Sequence, residues 1–128
     1  MTDSKWFSSQ VIHGSRIGRL LGFPTINLEI PGDLEQYRQG VYAAKLKINN
    51  KNYIGALYFG PRKMLGETKI RLEVFVLDFD KQIYGEIISF QIFNFIRPPK
   101  EFADYTDYKN QLDSDIGNIK KSLPSKTS

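Results

Sequence analysis

The sequence predicts a domain built almost entirely of β-strands and finished by one C-terminal helix, and two observations carry that expectation. From about Tyr42 to Phe93, apolar residues recur with a period of two in short runs separated by turn residues. From about Thr106 to Ser122 the apolar period lengthens to three or four, the spacing of a helix with one buried stripe. Several short strands with turn signals and little helix select a closed barrel or a sandwich. A chain of 128 residues holds one core and has no room for a second catalytic module. Residues 1–123 are therefore read as a single domain, and Pro124-Ser125-Lys126-Thr127-Ser128 as a disordered tail with too little apolar content to order itself.

Each element has its own justification. Pro24-Thr25-Ile26-Asn27 begins an extended segment, in which Thr25 and Asn27 point to one side. Tyr42, Ala44, Leu46 and Ile48 alternate with Ala43, Lys45 and Lys47, which marks a half-buried strand. Asn49-Asn50-Lys51-Asn52 supplies a turn before Tyr53 to Phe59, so the two strands form a hairpin. A second hairpin runs from Ile70–Leu77 through Asp78-Phe79-Asp80-Lys81 into Ile83–Phe93. In the helix, Tyr105, Tyr108, Leu112, Ile116, Ile119 and Leu123 share one stripe, and that stripe must pack on the barrel. Asp104, Thr106 and Asp107 suit its start, and Lys120 and Lys121 suit the negative end of its dipole.

Composition excludes several chemistries. The chain has no cysteine, which removes disulfides, thiolate metal sites and cysteine nucleophiles. Its only histidine, His13, rules out a histidine metal cluster or a triad and is read as a polar strand-end residue. No apolar run approaches the ~20 residues that cross a bilayer, and no signal peptide is visible, so the expectations are no membrane and a cytoplasmic location. A formal net charge of +4 suits a polyphosphate ligand and also fits many proteins without one.

The stretch Gly14-Ser15-Arg16-Ile17-Gly18-Arg19-Leu20-Leu21-Gly22-Phe23-Pro24-Thr25-Ile26-Asn27 is the most informative in the chain. Gly14, Gly18 and Gly22 let backbone N–H groups approach an anion closely, and Thr25 and Asn27 offer a hydroxyl and an amide oxygen to one hard cation. It is not a Walker A loop, since no Gly-Lys-Ser/Thr follows, nor a dinucleotide fingerprint, since no helix pattern opens behind it. Taken alone, the same residues also fit turn glycines and a Pro-Thr-x-Asn strand start. Arg16 and Arg19 either reach phosphate or lie solvated on the surface.

Glu73 is the sharpest single candidate. Ile70, Leu72, Val74 and Val76 form one face of its strand, while Arg71, Glu73, Phe75 and Leu77 form the other, so its carboxylate lies among apolar neighbours and one arginine. The two readings are a base in a cleft and a surface glutamate paired with Arg71. Arg97, ahead of Pro98-Pro99, reads from the residues alone as an ion-pair partner of Glu101 or of the helix. The seven Tyr and nine Phe include candidates for stacking on a planar ligand, although aromatics at strand spacing are usually core.

The string from Gly14 to Asn27 resembles the ATP-binding segment of the riboflavin kinases, a Gly-Arg loop followed by Leu-Gly-Phe-Pro-Thr-Ala-Asn. Gly40-Val41-Tyr42-Ala43, Leu72-Glu73-Val74-Phe75-Val76-Leu77-Asp78-Phe79, Tyr84-Gly85 and Phe95-Ile96-Arg97-Pro98-Pro99-Lys100-Glu101-Phe102 are similar to further blocks of that family, in the same order over nearly the whole chain. Two departures stand out: Ile26 replaces the usual alanine, and Tyr58-Phe59-Gly60-Pro61-Arg62-Lys63-Met64 replaces Asn-Ile-Gly-Thr-Arg-Pro-Thr.

The resemblance implies a small closed antiparallel Greek-key β-barrel of about six strands with the C-terminal α-helix packed on it. It implies ATP-dependent phosphorylation of the riboflavin ribityl 5′-hydroxyl to FMN, with Glu73 as the catalytic base. It assigns Gly14, Arg16, Gly18, Arg19, Gly22, Pro24, Thr25 and Asn27 to the nucleotide, Thr25 and Asn27 also to Mg²⁺ or another hard divalent ion, and Arg97 and Phe102 to the flavin. The implied partners are riboflavin and ATP, with no nucleic acid and a monomeric chain, either stand-alone or part of a bifunctional FAD synthetase. The rivals are a non-catalytic flavin or nucleotide sensor and an oligonucleotide-binding small barrel. The first would have no need of a base at Glu73, and the second none of the ordered blocks.

Overall fold

The computed structural model describes residues 5–13, 25–61, 66 and 68–122. Six strands, β1 (Trp6–Ile12), β2 (Ile26–Leu28), β3 (Gly40–Ile48), β4 (Lys51–Pro61), β5 (Ile70–Val76) and β6 (Ile87–Arg97), close into a barrel in the order β1-β2-β5-β4-β3-β6. All neighbours are antiparallel. β3, β4 and β5 form a meander, β2 returns beside β5 and β6 returns beside β3, which is Greek-key connectivity. The helix α1 (Tyr105–Ser122) packs on the outside of β3, β4 and β6. The barrel and its terminal helix are thus as the sequence predicts. No helix among the described residues is long and apolar enough to cross a membrane.

The period-two pattern sorts side chains between two layers. Tyr42, Ala44, Leu46 and Ile48 of β3, Leu57 and Phe59 of β4, Leu72, Val74 and Val76 of β5 and Phe90 of β6 fill the barrel. Val41, Ala43 and Ala56 face outward beneath Leu112 and Ile119 of α1. Two alanines at this contact let the helix lie close to the sheet.

Three expectations need correction. The β3–β4 turn is shorter than the run of asparagines suggests: Ile48 pairs directly with Lys51, so Lys51 and Asn52 belong to β4. Asn49 and Asn50 carry the whole turn at φ 51° and 66°, the left-handed values that a two-residue hairpin loop demands and asparagine tolerates. The second hairpin does not form: β5 pairs with β2 and β4 while β6 pairs with β1 and β3, so the chain crosses the barrel end between them, and the strand expected from Ile83 starts at Ile87, because Tyr84 and Gly85 make a turn with Gly85 at φ 85°, although Ile83 itself reaches the core. On the helix stripe, Tyr105 is exposed and a polar residue, Asp115, is completely buried between Leu112 and Ile119. Leu123 and the expected tail lie outside the described residues.

Asp104 caps α1, its carboxylate accepting from the Asp107 N–H at 2.9 Å. Asp115 is the helix's main polar anchor. Arg97, at the end of β6, donates from Nε to Asp115 Oδ1 at 2.9 Å and from Nη2 to Oδ2 at 2.9 Å, while Gln111 Nε2 donates to Oδ1 at 3.0 Å. A paired guanidinium and carboxylate of this geometry tolerate burial because each charge is compensated. Asp115→Ala removes that compensation and is expected to cost about 3 kcal/mol in urea unfolding, the lower end of the range for a broken buried pair, since Arg97 keeps some water contact. A loss below about 0.5 kcal/mol, as for a surface pair, would contradict this role.

Candidate active site

The site is built on the outer face of three adjacent strands. β2 is only three residues long, yet it places Asn27 directly opposite Glu73 of β5, and Glu73 has Tyr58 of β4 directly opposite on its other side. Directly opposed residues of an antiparallel pair share a face, so Asn27, Glu73 and Tyr58 form one row across the sheet. Thr25, two residues before Asn27, lies on the same side and its hydroxyl donates to Glu73 Oε1 at 3.1 Å. The odd–even pattern of β5 explains the arrangement: Leu72 and Val74 point into the barrel, which turns Glu73 outward. Ile26, the departure from alanine, pairs with Val74 and packs against the barrel interior, away from the row.

Glu73 is nevertheless only 4% exposed and Asn27 only 8%. Among the described residues, Asn27 Oδ1 is the buried side-chain oxygen or nitrogen that has no hydrogen-bond partner. A buried acceptor left unsatisfied costs about 1–3 kcal/mol, so such an atom calls for a ligand. A hard divalent cation fits it: an amide oxygen and a hydroxyl are suitable donors, and such ions take few protein ligands when phosphates complete the shell. No cluster of three or more His, Cys, Asp or Glu side chains suited to a metal occurs among the described residues.

A pocket opens beside Thr25, lined by Val11, Ile26, Val76, Phe79, Ile83 and Tyr84 among others. His13 stacks on Tyr84 at its edge, with ring centroids 3.9 Å apart. Gly14, Arg16, Gly18, Arg19, Gly22 and Pro24, assigned to the nucleotide from sequence, lie outside the described residues.

The two residues assigned to the flavin lie toward α1. Arg97 is committed to Asp115 and also donates to the Pro98 carbonyl at 3.1 Å, which matches the helix ion-pair alternative. Phe102 sits edge-on to Tyr108 of α1 with centroids 5.4 Å apart, and the Arg97 guanidinium carbon lies 5.8 Å from the Phe102 ring. Thr25, Asn27 and Glu73 are therefore brought together, whereas Arg97 and Phe102 form a separate group at the helix. Sequence reasoning missed Asp115 and the position of Tyr58. Asp115 had a signal, since it falls at stripe spacing between Leu112 and Ile119.

Known proteins share the sequence and the fold of this chain. The chain is 34% identical over 106 residues to the bifunctional riboflavin kinase/FMN adenylyltransferase of Listeria monocytogenes, covering 82% of this chain and 34% of that protein. Among solved structures, a Streptococcus pneumoniae chain described as a macrolide-efflux protein superposes with a TM-score of 0.75 at 26% identity, over 93% of this chain and 39% of that one. Riboflavin kinase from Trypanosoma brucei superposes with a TM-score of 0.66 at 21% identity, over 91% of this chain and 77% of that one, a likeness of fold. The chain spans between 17% and 48% of the length of the curated relatives it matches. The family model for flavokinases, described as riboflavin kinase, matches residues 3–123, and the chain belongs to that family.

Proposed function

We propose that this domain transfers the γ-phosphoryl group of ATP to the ribityl 5′-hydroxyl of riboflavin, giving FMN and ADP. The observation that carries this reading is the buried pair on β2 and β5: a carboxylate held by the Thr25 hydroxyl, opposite an amide oxygen without a partner among the described residues. Phosphoryl transfer asks for a base at the attacking alcohol and for neutralisation of phosphate charge, with little covalent participation by the protein. Glu73 supplies the base. The alcohol oxygen bonds to the γ-phosphorus, the bond from that phosphorus to the β,γ-bridging oxygen breaks, ADP leaves, and the hydroxyl proton passes to Glu73 and then to solvent.

Thr25 and Asn27 are the residues of this chain that would hold Mg²⁺ or a similar ion, which neutralises phosphate charge when bound. Thr25 also orients Glu73, so one hydroxyl serves both needs. The pocket beyond the end of β5 suits the nucleoside, with the Gly14–Gly22 loop and its arginines on the phosphates. On the helix side, Phe102 and Tyr108 offer the aromatic wall for the isoalloxazine, and Arg97 stabilises that wall through Asp115. The proposed partners are these two small molecules, with no nucleic acid, for a monomer acting in the cytoplasm.

Purified protein is expected to form FMN from riboflavin and Mg-ATP, read by chromatography, and chelation should stop it. Riboflavin uptake with no FMN formed across common divalent ions would replace the kinase by a sensor. Glu73→Gln should keep the fold and lose roughly 10²-fold or more, chiefly in kcat, the scale of a positioned general base. Near-normal turnover in a folded Glu73→Gln protein would remove Glu73 as the base.

Asn27→Leu tests the cation site without relying on turnover. Leucine has the same branching and number of side-chain heavy atoms and no acceptor, so the variant should unfold at about the temperature of the wild type in the absence of divalent ions. Mg-ADP should stabilise the wild type by about 2.7 kcal/mol at a hundredfold excess over its dissociation constant, and the variant far less. Equal stabilisation of both proteins would show that Asn27 holds no cation.

A further inference from the structure

Tyr58 completes the row on the side of Glu73 away from Asn27, about one strand spacing of ~4.8 Å from it. Its ring is fixed in place. The hydroxyl donates to the carbonyl of Pro61, three residues along the same strand, so the ring lies over Gly60. A Cβ built on Gly60 would stand 2.9 Å from the Tyr58 hydroxyl oxygen and 3.2 Å from the ring carbon that bears it, so this glycine makes room for the phenol. Gly60 is also at φ +153°, a value that side chains other than glycine's rarely adopt. Because Gly60 pairs with Arg71, the ring borders β5 from the level of Glu73 to that of Arg71. Tyr58 also packs on the helix-side cluster that receives Phe75, Ile96 and Tyr108.

In-line transfer places the attacking and leaving oxygens on opposite sides of the phosphorus. Thr25 and Asn27, the groups suited to the cation and nucleotide, lie on the β2 side of Glu73. The alcohol must then reach Glu73 from the β4 side, which is the side of Tyr58. We propose that Tyr58 is the specificity-determining wall for the acceptor's polyol chain, a role that rests on the riboflavin kinase reading above. The ring presents an apolar surface to the C–H groups of the chain and keeps water from Glu73. Its hydroxyl, engaged with Pro61, holds the ring flat and sets the distance over which the terminal hydroxyl meets the carboxylate.

Tyr58→Ala and Tyr58→Phe test this, with riboflavin affinity read from quenching of flavin fluorescence and KM measured separately for riboflavin and Mg-ATP. Tyr58→Ala should raise the riboflavin dissociation constant and KM by about tenfold and change the Mg-ATP KM by less than about twofold, the scale of lost apolar contact in a pocket. Its preference for riboflavin over an analogue with a polyol chain one carbon shorter should narrow. Tyr58→Phe keeps the ring without its tether and should raise the riboflavin KM by about threefold. A folded Tyr58→Ala protein that binds riboflavin as the wild type does, or that weakens both substrates equally, overturns the proposal and leaves the kinase reading intact. If Tyr58→Ala does not fold, an unchanged riboflavin KM in Tyr58→Phe overturns it instead. A wild-type protein that neither binds riboflavin nor makes FMN overturns both.

Discussion

The short ladder between β2 and β5 is the constraint on which both the barrel and the site depend. Ile26, Asn27 and Leu28 pair with Val74, Glu73 and Leu72, while Leu28 and Asn27 also pair with Val11 and Ile12 of β1. Three residues thus join the two halves of the sheet into a closed barrel. The same three residues set Asn27 against Glu73. The register is pinned by Leu28, which is buried in the barrel; a slip by one residue would swing Leu28 out to the site and Asn27 into the core. Hydrophobic burial on one face of β2 therefore fixes the polar geometry on the other.

Buried polar groups in the outer layer fall into two kinds, and their hydrogen bonding tells them apart. Asp115 accepts from Arg97 and Gln111, so its buried charge is satisfied within the fold and serves to join α1 to β6. Asn27 Oδ1 has no such partner among the described residues, and Glu73 is held by a hydroxyl that is itself a suitable cation ligand. The first arrangement is complete as a structural clamp. The second leaves an acceptor for a ligand, and on the proposed function β2 and β5 carry the phosphoryl transfer while the Arg97–Asp115 clamp is scaffolding.

Much of this was legible in the sequence for a simple reason: period-two alternation and helical spacing report directly which face is buried. Leu72, Val74 and Val76 point inward as their spacing predicts, which is enough to turn Glu73 outward. Thr25 and Asn27 were readable as a pair because residues two apart in an extended segment share a side. Tyr58 was not readable, because its importance comes from a cross-strand partner that no local pattern specifies. The true start of β6 at Ile87 was hidden by Ile83, which is apolar and buried although it lies in a turn region. Asp115 escaped because a charged residue at stripe spacing is usually solvated. Only the position of Arg97 at the facing strand end explains its burial.

The central claim is that the Asn27–Glu73 pair is the reaction centre of this domain. Its most direct test is a crystal of the protein with Mn²⁺, ADP and riboflavin, with the metal located by anomalous scattering. An anomalous peak at about 2.1–2.2 Å from Asn27 Oδ1, close to the Thr25 hydroxyl, with the ribityl terminus against Glu73 from the β4 side, is the expected result. A nucleotide-bound metal placed away from Asn27, or a ribityl terminus directed elsewhere than Glu73, would contradict it.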